Sequence, residues 1–202
     1  QHSLRDPNRD KNHGRIWRIR YKDRPLVDPP KIAGQPIPAL LDLLKTYEDR
    51  TRYRVRRELR ERDTAEVMAA LDQWIASLDT DDENYQHHLL EALCVHQHHD
   101  VVDEELLKQL LASPDPRARA AATRVLCYWR DRVNEPLALL RTQINDEHPR
   151  VRLEAVRALS FFDSPLAREV LYDSLIHPQD DYLEYTFQET LDTLDRRLGT
   201  AQ

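Results

Sequence analysis

Glycine is nearly missing from this 202-residue chain: it stands at positions 14, 34 and 199, and nowhere from 35 to 198. Tight sheet turns and phosphate-cradling loops depend on glycine, whereas helices joined by Pro, Asp and Asn turns do not. The scarcity argues against Rossmann-type units and predicts a mostly helical protein over residues 36–198. Cysteine is also scarce, with Cys94 and Cys127 alone and no Cys-x-x-Cys-His, which excludes covalent c-type haem attachment to these residues. No run approaches the roughly 20 apolar residues that span a bilayer, so no membrane insertion is expected. No Ser or Cys stands with a partner at a diagnostic nucleophile spacing. Position 1 is not Met, and no charged start is followed by an apolar run. The expectation is a secretory signal absent or already removed, and a chain that is a fragment or a processed product.

Repetition is what the chain has instead. "DPRARAAATRVL" (115–126) returns as "HPRVRLEAVRAL" (148–159), with Pro116, Arg117, Arg119, Arg124 and Leu126 recurring as Pro149, Arg150, Arg152, Arg157 and Leu159 at an offset of 33. Helical spacing of apolar residues marks 37–47, 64–78, 103–113, 135–144 and 165–176. Five further segments lie between these, and their last leucines are Leu59, Leu93, Leu126, Leu159 and Leu191, spaced by 34, 33, 33 and 32 residues. The unit is a helix pair with a polar turn, and Pro falls where the first helical turn has no use for its N–H. A lone pair cannot bury its apolar faces, so successive pairs must stack. The predicted fold class is all-α: a right-handed α-solenoid of about five helix pairs, with a short N-terminal strand or extended segment.

The pattern Asp/His-Pro-Arg-x-Arg-x-x-Ala at 115–122 and 148–155 resembles the short HEAT-like repeats, over residues 36–195. The resemblance implies an Asp in the turn and an Arg six positions on that bond between neighbouring repeats. Asp146 and Arg152 fit; Ser113 stands in the Asp position before Arg119. The ladder is therefore expected to be incomplete, which leaves Arg119 available for other work, while Arg119 and Arg152 line equivalent positions and are expected first in inter-repeat bonding and second in partner contact. Arg52, Arg119, Asp146 and Arg152 are the candidate binding or inter-repeat residues.

The start of the chain reads differently. In "RIWRIRY" (15–21), Trp17, Ile19 and Tyr21 alternate with Arg18 and Arg20 as in a half-buried strand. Pro25, Pro29, Pro30, Pro36 and Pro38 then make an extended connector. The expected organisation is 1–24 as the end of a β-propeller-like domain, 25–38 as a Pro-rich linker and 39–198 as the solenoid. "HSLRDPNRDKNHGRIWRIRY" followed by "PPKIAGQPIPALLDLLKTYEDRTRYRVRREL" resembles the junction in large planctomycete-type proteins called membrane-bound dehydrogenase-domain or PVC-type haem-binding proteins. That resemblance implies a dehydrogenase-like propeller before the solenoid and a cytochrome c-type domain after it. It also implies an exported, periplasmic setting. No cofactor is expected in this segment.

Five of the nine histidines lie in "YQHHLLEALCVHQHHD" (85–100). His88, Glu91 and His96 are candidate metal ligands, since imidazole and carboxylate suit zinc, and a haem-associated carrier is the allied reading. The blander reading is a solvated, partly cationic cluster at a helix C-terminus, where the dipole favours it. Cys94 and Cys127 each follow a repeat's last leucine, as Ser160 does, and read as small packing residues. Asp146 and His148 read as turn residues.

Charge is uneven. Residues 1–62 hold 17 Lys plus Arg and 9 Asp plus Glu, a net of +8, while 63–202 hold 13 and 27, a net of −14. The run "RTRYRVRRELRER" (50–62) would suit nucleic-acid phosphates, but interleaved acids and acidic later repeats argue against that partner. Ion pairing with a first domain or with neighbouring helices fits better. Trp74 and Trp129 are expected inside the stack, and Tyr182, Tyr185 and Phe187 at its cap. The reading is a non-catalytic scaffold whose partners are protein domains or another protein, with a metal- or haem-associated carrier using 85–100 and a nucleic-acid binder using 50–62 as the alternatives.

Overall fold

The computed structural model describes residues 6–8, 10, 12–14, 16–26 and 28–199. These form two units, 1–31 and 32–202. In the first unit, residues 16–21 form no strand. Ile16, Trp17 and Ile19 are 102%, 80% and 96% exposed, which corrects the expected half-buried strand. Among the described residues there is no second strand to satisfy its backbone donors and acceptors. Arg15, its expected first residue, lies outside the described residues.

The second unit is an α-solenoid of five helix pairs, and no described residue is in a strand. The pairs are α1 (Ile37–Leu43) with α2 (Asp49–Arg60), α3 (Thr64–Ala76) with α4 (Tyr85–His98), and α5 (Glu104–Leu111) with α6 (Pro116–Trp129). α7 (Pro136–Ile144) with α8 (Pro149–Leu159), and α9 (Pro165–Asp173) with α10 (Asp181–Leu198), complete the stack. Proline opens α6, α7, α8 and α9 at the first helical position. Side-chain caps start the helices where the turns supply them. Asp63, Asp103, Asp115, Ser164 and Asp180 each accept a first-turn N–H, as does the ring of His148. Gly199, in the left-handed region at φ 68°, closes α10.

The second helices pack in series, α2 on α4, α4 on α6, α6 on α8 and α8 on α10. One continuous apolar core runs from Ile32 to Leu194 and includes Trp74 and Trp129. Leu59, Leu93, Leu126 and Leu159 are fully buried at equivalent places, and Leu191 in the last pair is only partly so, because no further pair covers it. This series of second helices brings the arginines and carboxylates of successive repeats within reach of each other.

Candidate functional site

The repeat places an arginine seven residues before the last leucine of α2, α6 and α8, and all three side chains fold back identically. Arg52 Nη1 donates to the carbonyls of Thr46 and Tyr47, 2.8 and 2.6 Å away. Arg119 Nη1 donates to those of Ser113 and Pro114, at 2.9 and 3.4 Å. Arg152 Nη1 donates to those of Asp146 and Glu147, at 2.9 and 3.0 Å. Carbonyls at the end of the preceding helix lack intrahelical partners, and a planar guanidinium supplies several donors at once. Each arginine thus clamps the turn of its own helix pair.

The other nitrogens reach the next pair. Arg119 Nε and Nη2 hold both oxygens of Asp146, at 2.7 and 2.9 Å, with each side chain 10% exposed. Arg152 Nη2 donates to the Pro178 carbonyl at 3.0 Å, and Arg52 Nε to Glu91 Oε1 at 2.9 Å. Arg119 is therefore not free, contrary to the reading of Ser113 as a gap. Asp146 gives its carboxylate to Arg119 of the pair before it and only its carbonyl to Arg152. Burial works to raise the Asp146 pKa, but the Arg119 hydrogen bond and the His148 N–H outweigh it and hold the carboxyl below its usual value.

The rung between the second and third pairs has a neutral form. Gln86 occupies the arginine's place in α4, 33 residues before Arg119, and Ser113 the aspartate's place, 33 before Asp146. Ser113 Oγ donates to Gln86 Oε1 at 2.6 Å. Both partners have changed together, so the ladder continues without charge. Stepping back 33 residues from both members of the Arg119–Asp146 pair was the available signal for this rung.

Two buried carboxylates, unmarked by the turn motif, lock the second helices together. Glu91 on α4 is 4% exposed and receives Arg52 and Arg56 from α2. Glu154 on α8, also 4% exposed, receives Arg124 from α6, with Arg150 and Arg157 from its own helix. Burial works to raise the Glu154 pKa; the Arg124 hydrogen bond and three guanidinium charges overcome it and lower the value. For Arg56, burial works to lower the pKa and the Glu91 charge overcomes it, so the cation is favoured.

His88, Glu91 and His96 do not converge. Glu91 is taken by guanidinium groups, His88 Nδ1 lies 3.7 Å from Asp82, and His96 Nε2 lies 3.5 Å from Asp103. Among the described residues, no group of three or more His, Cys, Asp and Glu side chains could hold a metal ion. The solvated, partly cationic cluster is also corrected. His96 is 4% exposed, and burial lowers the pKa of His87, His88, His96, His98 and His99 alike. Burial disfavours the cationic form at each, and of the five only His88 and His96 are buried.

Cys94 and Cys127 are both free; burial pushes the Cys94 thiol up to about 11 and raises that of Cys127. Neither can supply a thiolate near neutral pH. Asp146 Oδ1 accepts the His148 N–H at 2.8 Å, and His148 Nδ1 accepts the Arg150 N–H at 3.1 Å. Both are occupied in shaping the turn rather than as an acid and base pair. An open cleft of about 410 Å³ lies at the starts of α4 and α6, but its cations are engaged: Arg52 with Glu91 and Asp49, Arg117 with Asp115, and Lys45 with Asp42.

α2 sorts its arginines by face. Arg52 and Arg56 point at α4, Arg50, Arg54, Arg57 and Arg60 are exposed, and Arg62, just beyond the helix, pairs with Glu58. Beside the exposed group, Tyr53 is 51% exposed, under the Arg57 guanidinium. At the far end of the stack, Tyr182 and Tyr185 are 77% and 68% exposed, while Phe187 is half-buried against Tyr172.

Residues 103–192 match the family model described as HEAT repeats. No curated protein matches the sequence. Among solved structures, the chain is similar to the crystal structure of an engineered protein from the Northeast Structural Genomics Consortium, at 19% identity over 80% of each chain, with a TM-score of 0.46. The HEAT-matched segment holds α5 to α9 and the first part of α10, and with them Arg119, Asp146, Arg152 and Glu154.

Proposed function

We propose that this chain is a non-catalytic HEAT-type scaffold whose role is to hold protein domains in fixed relation. The observation that supports this best is how its buried polar groups are used. The buried Glu91 and Glu154 and the partly buried Asp146 are each neutralised by arginines of an adjacent pair, and two of those arginines, Arg52 and Arg119, clamp turns with their remaining donors. Such a network stiffens the stack and occupies these carboxylates structurally.

In the finer reading, the domains held are a dehydrogenase-like propeller before residue 25 and a cytochrome c-type domain after residue 198, in an exported redox protein. That reading rests on the resemblance of residues 2–59 to the family junction. The segment itself would carry no cofactor. The test is the continuous reading frame on either side: a propeller upstream and Cys-x-x-Cys-His downstream is the expected outcome, and a frame bounded near Gln1 and Gln202 refutes the linking role. Titration of the chain with zinc or haemin should give no saturable binding. Binding abolished by His88→Ala with His96→Ala would instead make it a carrier.

A further inference from the structure

The internal repeat carries arginines that neither the core nor the turn clamps use. Of the residues that recur between α6 and α8, Pro116 and Pro149 open the helices, Leu126 and Leu159 are buried, and Arg119 and Arg152 clamp turns. Arg117 recurs as Arg150 and Arg124 as Arg157, nine and two residues before the last leucine, and Tyr128 recurs two residues after it as Phe161. At 100° per residue, positions seven apart differ by nearly two full turns, so each helix presents its two arginines on one side, about 10 Å apart, with the ring one turn beyond. Because α6 packs on α8, the stripe is doubled on neighbouring helices.

Three of these guanidinium groups converge on one carboxylate. Arg124 donates to both oxygens of Glu154, while Arg150 Nη2 and Arg157 Nε lie 3.1 and 3.3 Å from them. The joint between α6 and α8 is complete with Arg124 alone, since its fork matches a carboxylate. Among the described residues neither Arg150 nor Arg157 pairs with a second acid, so three cations share one anion, an excess of two positive charges. At Glu91 the two arginine side chains are 12% and 14% exposed; those of Arg124, Arg150 and Arg157 are 49%, 54% and 35% exposed. The Glu154 cluster is thus open to solvent where the Glu91 cluster is closed. Tyr128 and Phe161 are exposed beside it, and the Arg130 and Arg157 guanidinium groups stand 5.6 and 5.7 Å from the Phe161 ring centre. Such contacts hold an apolar ring among the cations.

We infer that the exposed side of α6 and α8 binds a short acidic segment of a partner protein, one with apolar side chains among its Asp and Glu residues. Its carboxylates complement Arg117, Arg124, Arg150 and Arg157, and its apolar groups cover Tyr128 and Phe161. The width of the stripe favours a peptide over a nucleic acid. The places nine and two before the last leucine hold Asn84 and Glu91 in α4, and Tyr182 and Glu189 in α10, so the stripe ends after two pairs. α2 has Arg50 and Arg57 there, but Glu61 replaces the ring and α4 intervenes. Affinity for a nucleic acid grows with the number of phosphates neutralised, and a duplex continuing past α8 meets exposed Glu184 and Glu189 on α10. A short segment meets the cations alone. The inference goes beyond the scaffold reading, which stands if it fails.

The experiment is fluorescence anisotropy of a fluorescein-labelled peptide of repeated Asp-Glu-Phe, titrated with the 202-residue chain. The expected result is saturable binding at low salt that weakens by about tenfold near half-molar salt, as screening shortens the reach of charges. Arg150→Gln with Arg157→Gln leaves the Arg124 joint in place and should weaken binding by about tenfold with helical circular dichroism unchanged. Should that double replacement lose helix, each single replacement is read instead, with a loss of about threefold. Arg54→Gln with Arg57→Gln removes as much charge from α2 and should leave the affinity as it was. No saturable binding, or equal affinity for a peptide with Asn and Gln in place of the acids, overturns the inference. Equal weakening by the two pairs of replacements also overturns it, since net charge would then account for the attraction. So does duplex DNA bound more tightly than the peptide and lost in Arg150→Gln with Arg157→Gln, which would make the stripe a nucleic-acid surface.

Discussion

Removing Arg119 should destabilise the stack more than its place in a turn motif suggests. The guanidinium makes bonds of 2.7 and 2.9 Å to Asp146 and 2.9 Å to the Ser113 carbonyl, and both charged side chains are 10% exposed. Breaking a buried pair on one side costs about 3 to 5 kcal/mol, because the remaining charge loses its partner. Asp146 keeps the His148 N–H, at 2.8 Å, so the low end applies and Arg119→Ala should cost about 3 kcal/mol. For a chain of this size that lowers Tm by about 6 to 12 °C. A double-mutant cycle with Asp146→Asn, read by urea unfolding at pH 7, should give a coupling of about 1.5 to 2.5 kcal/mol. The coupling also has a pH signature. The folded-state pKa of Asp146 lies below its unfolded value of 3.8, so its contribution is complete above that value and is lost as pH falls through the folded one. A coupling below about 0.5 kcal/mol at pH 7 would refute the Arg119–Asp146 rung as a source of stability.

Two further outcomes follow from the same geometry. Gln86→Arg with Ser113→Asp should turn the neutral rung into a charged one, and the double variant should exceed the sum of the single changes by about 1 kcal/mol in urea unfolding; additive effects would mean that the two positions do not form a rung. Burial holds the pKa of His96 below its ordinary 6.5, so the unfolded chain takes up protons first as pH falls and stability declines below about 6.5 until the folded value is reached. The urea midpoint should therefore be lower at pH 5.5 than at pH 7.5, and His96→Leu should reduce that difference, whereas an unchanged difference would remove His96 as its source.

The sequence by itself determined the number of helix pairs, their period and the places of their turns. Those features are local and repeated: apolar spacing of three and four, Pro at helix starts and a leucine every 32 to 34 residues leave one consistent folding pattern. The clamping of turn carbonyls by Arg52, Arg119 and Arg152 was half legible, since the motif marks the arginines without showing which carbonyls they hold. Only the tertiary structure decided the rest. Glu91 and Glu154 read as two acids among 36 until the packing of α2 on α4 and α6 on α8 brings arginines of another repeat to them. Ser113 read as a missing aspartate, because the compensating Gln86 lies 27 residues earlier on a different helix. The strand expected at 15–21 is absent over the described residues 16–21 for the opposite reason: alternation describes one edge, and a strand exists only when a second one pairs with it.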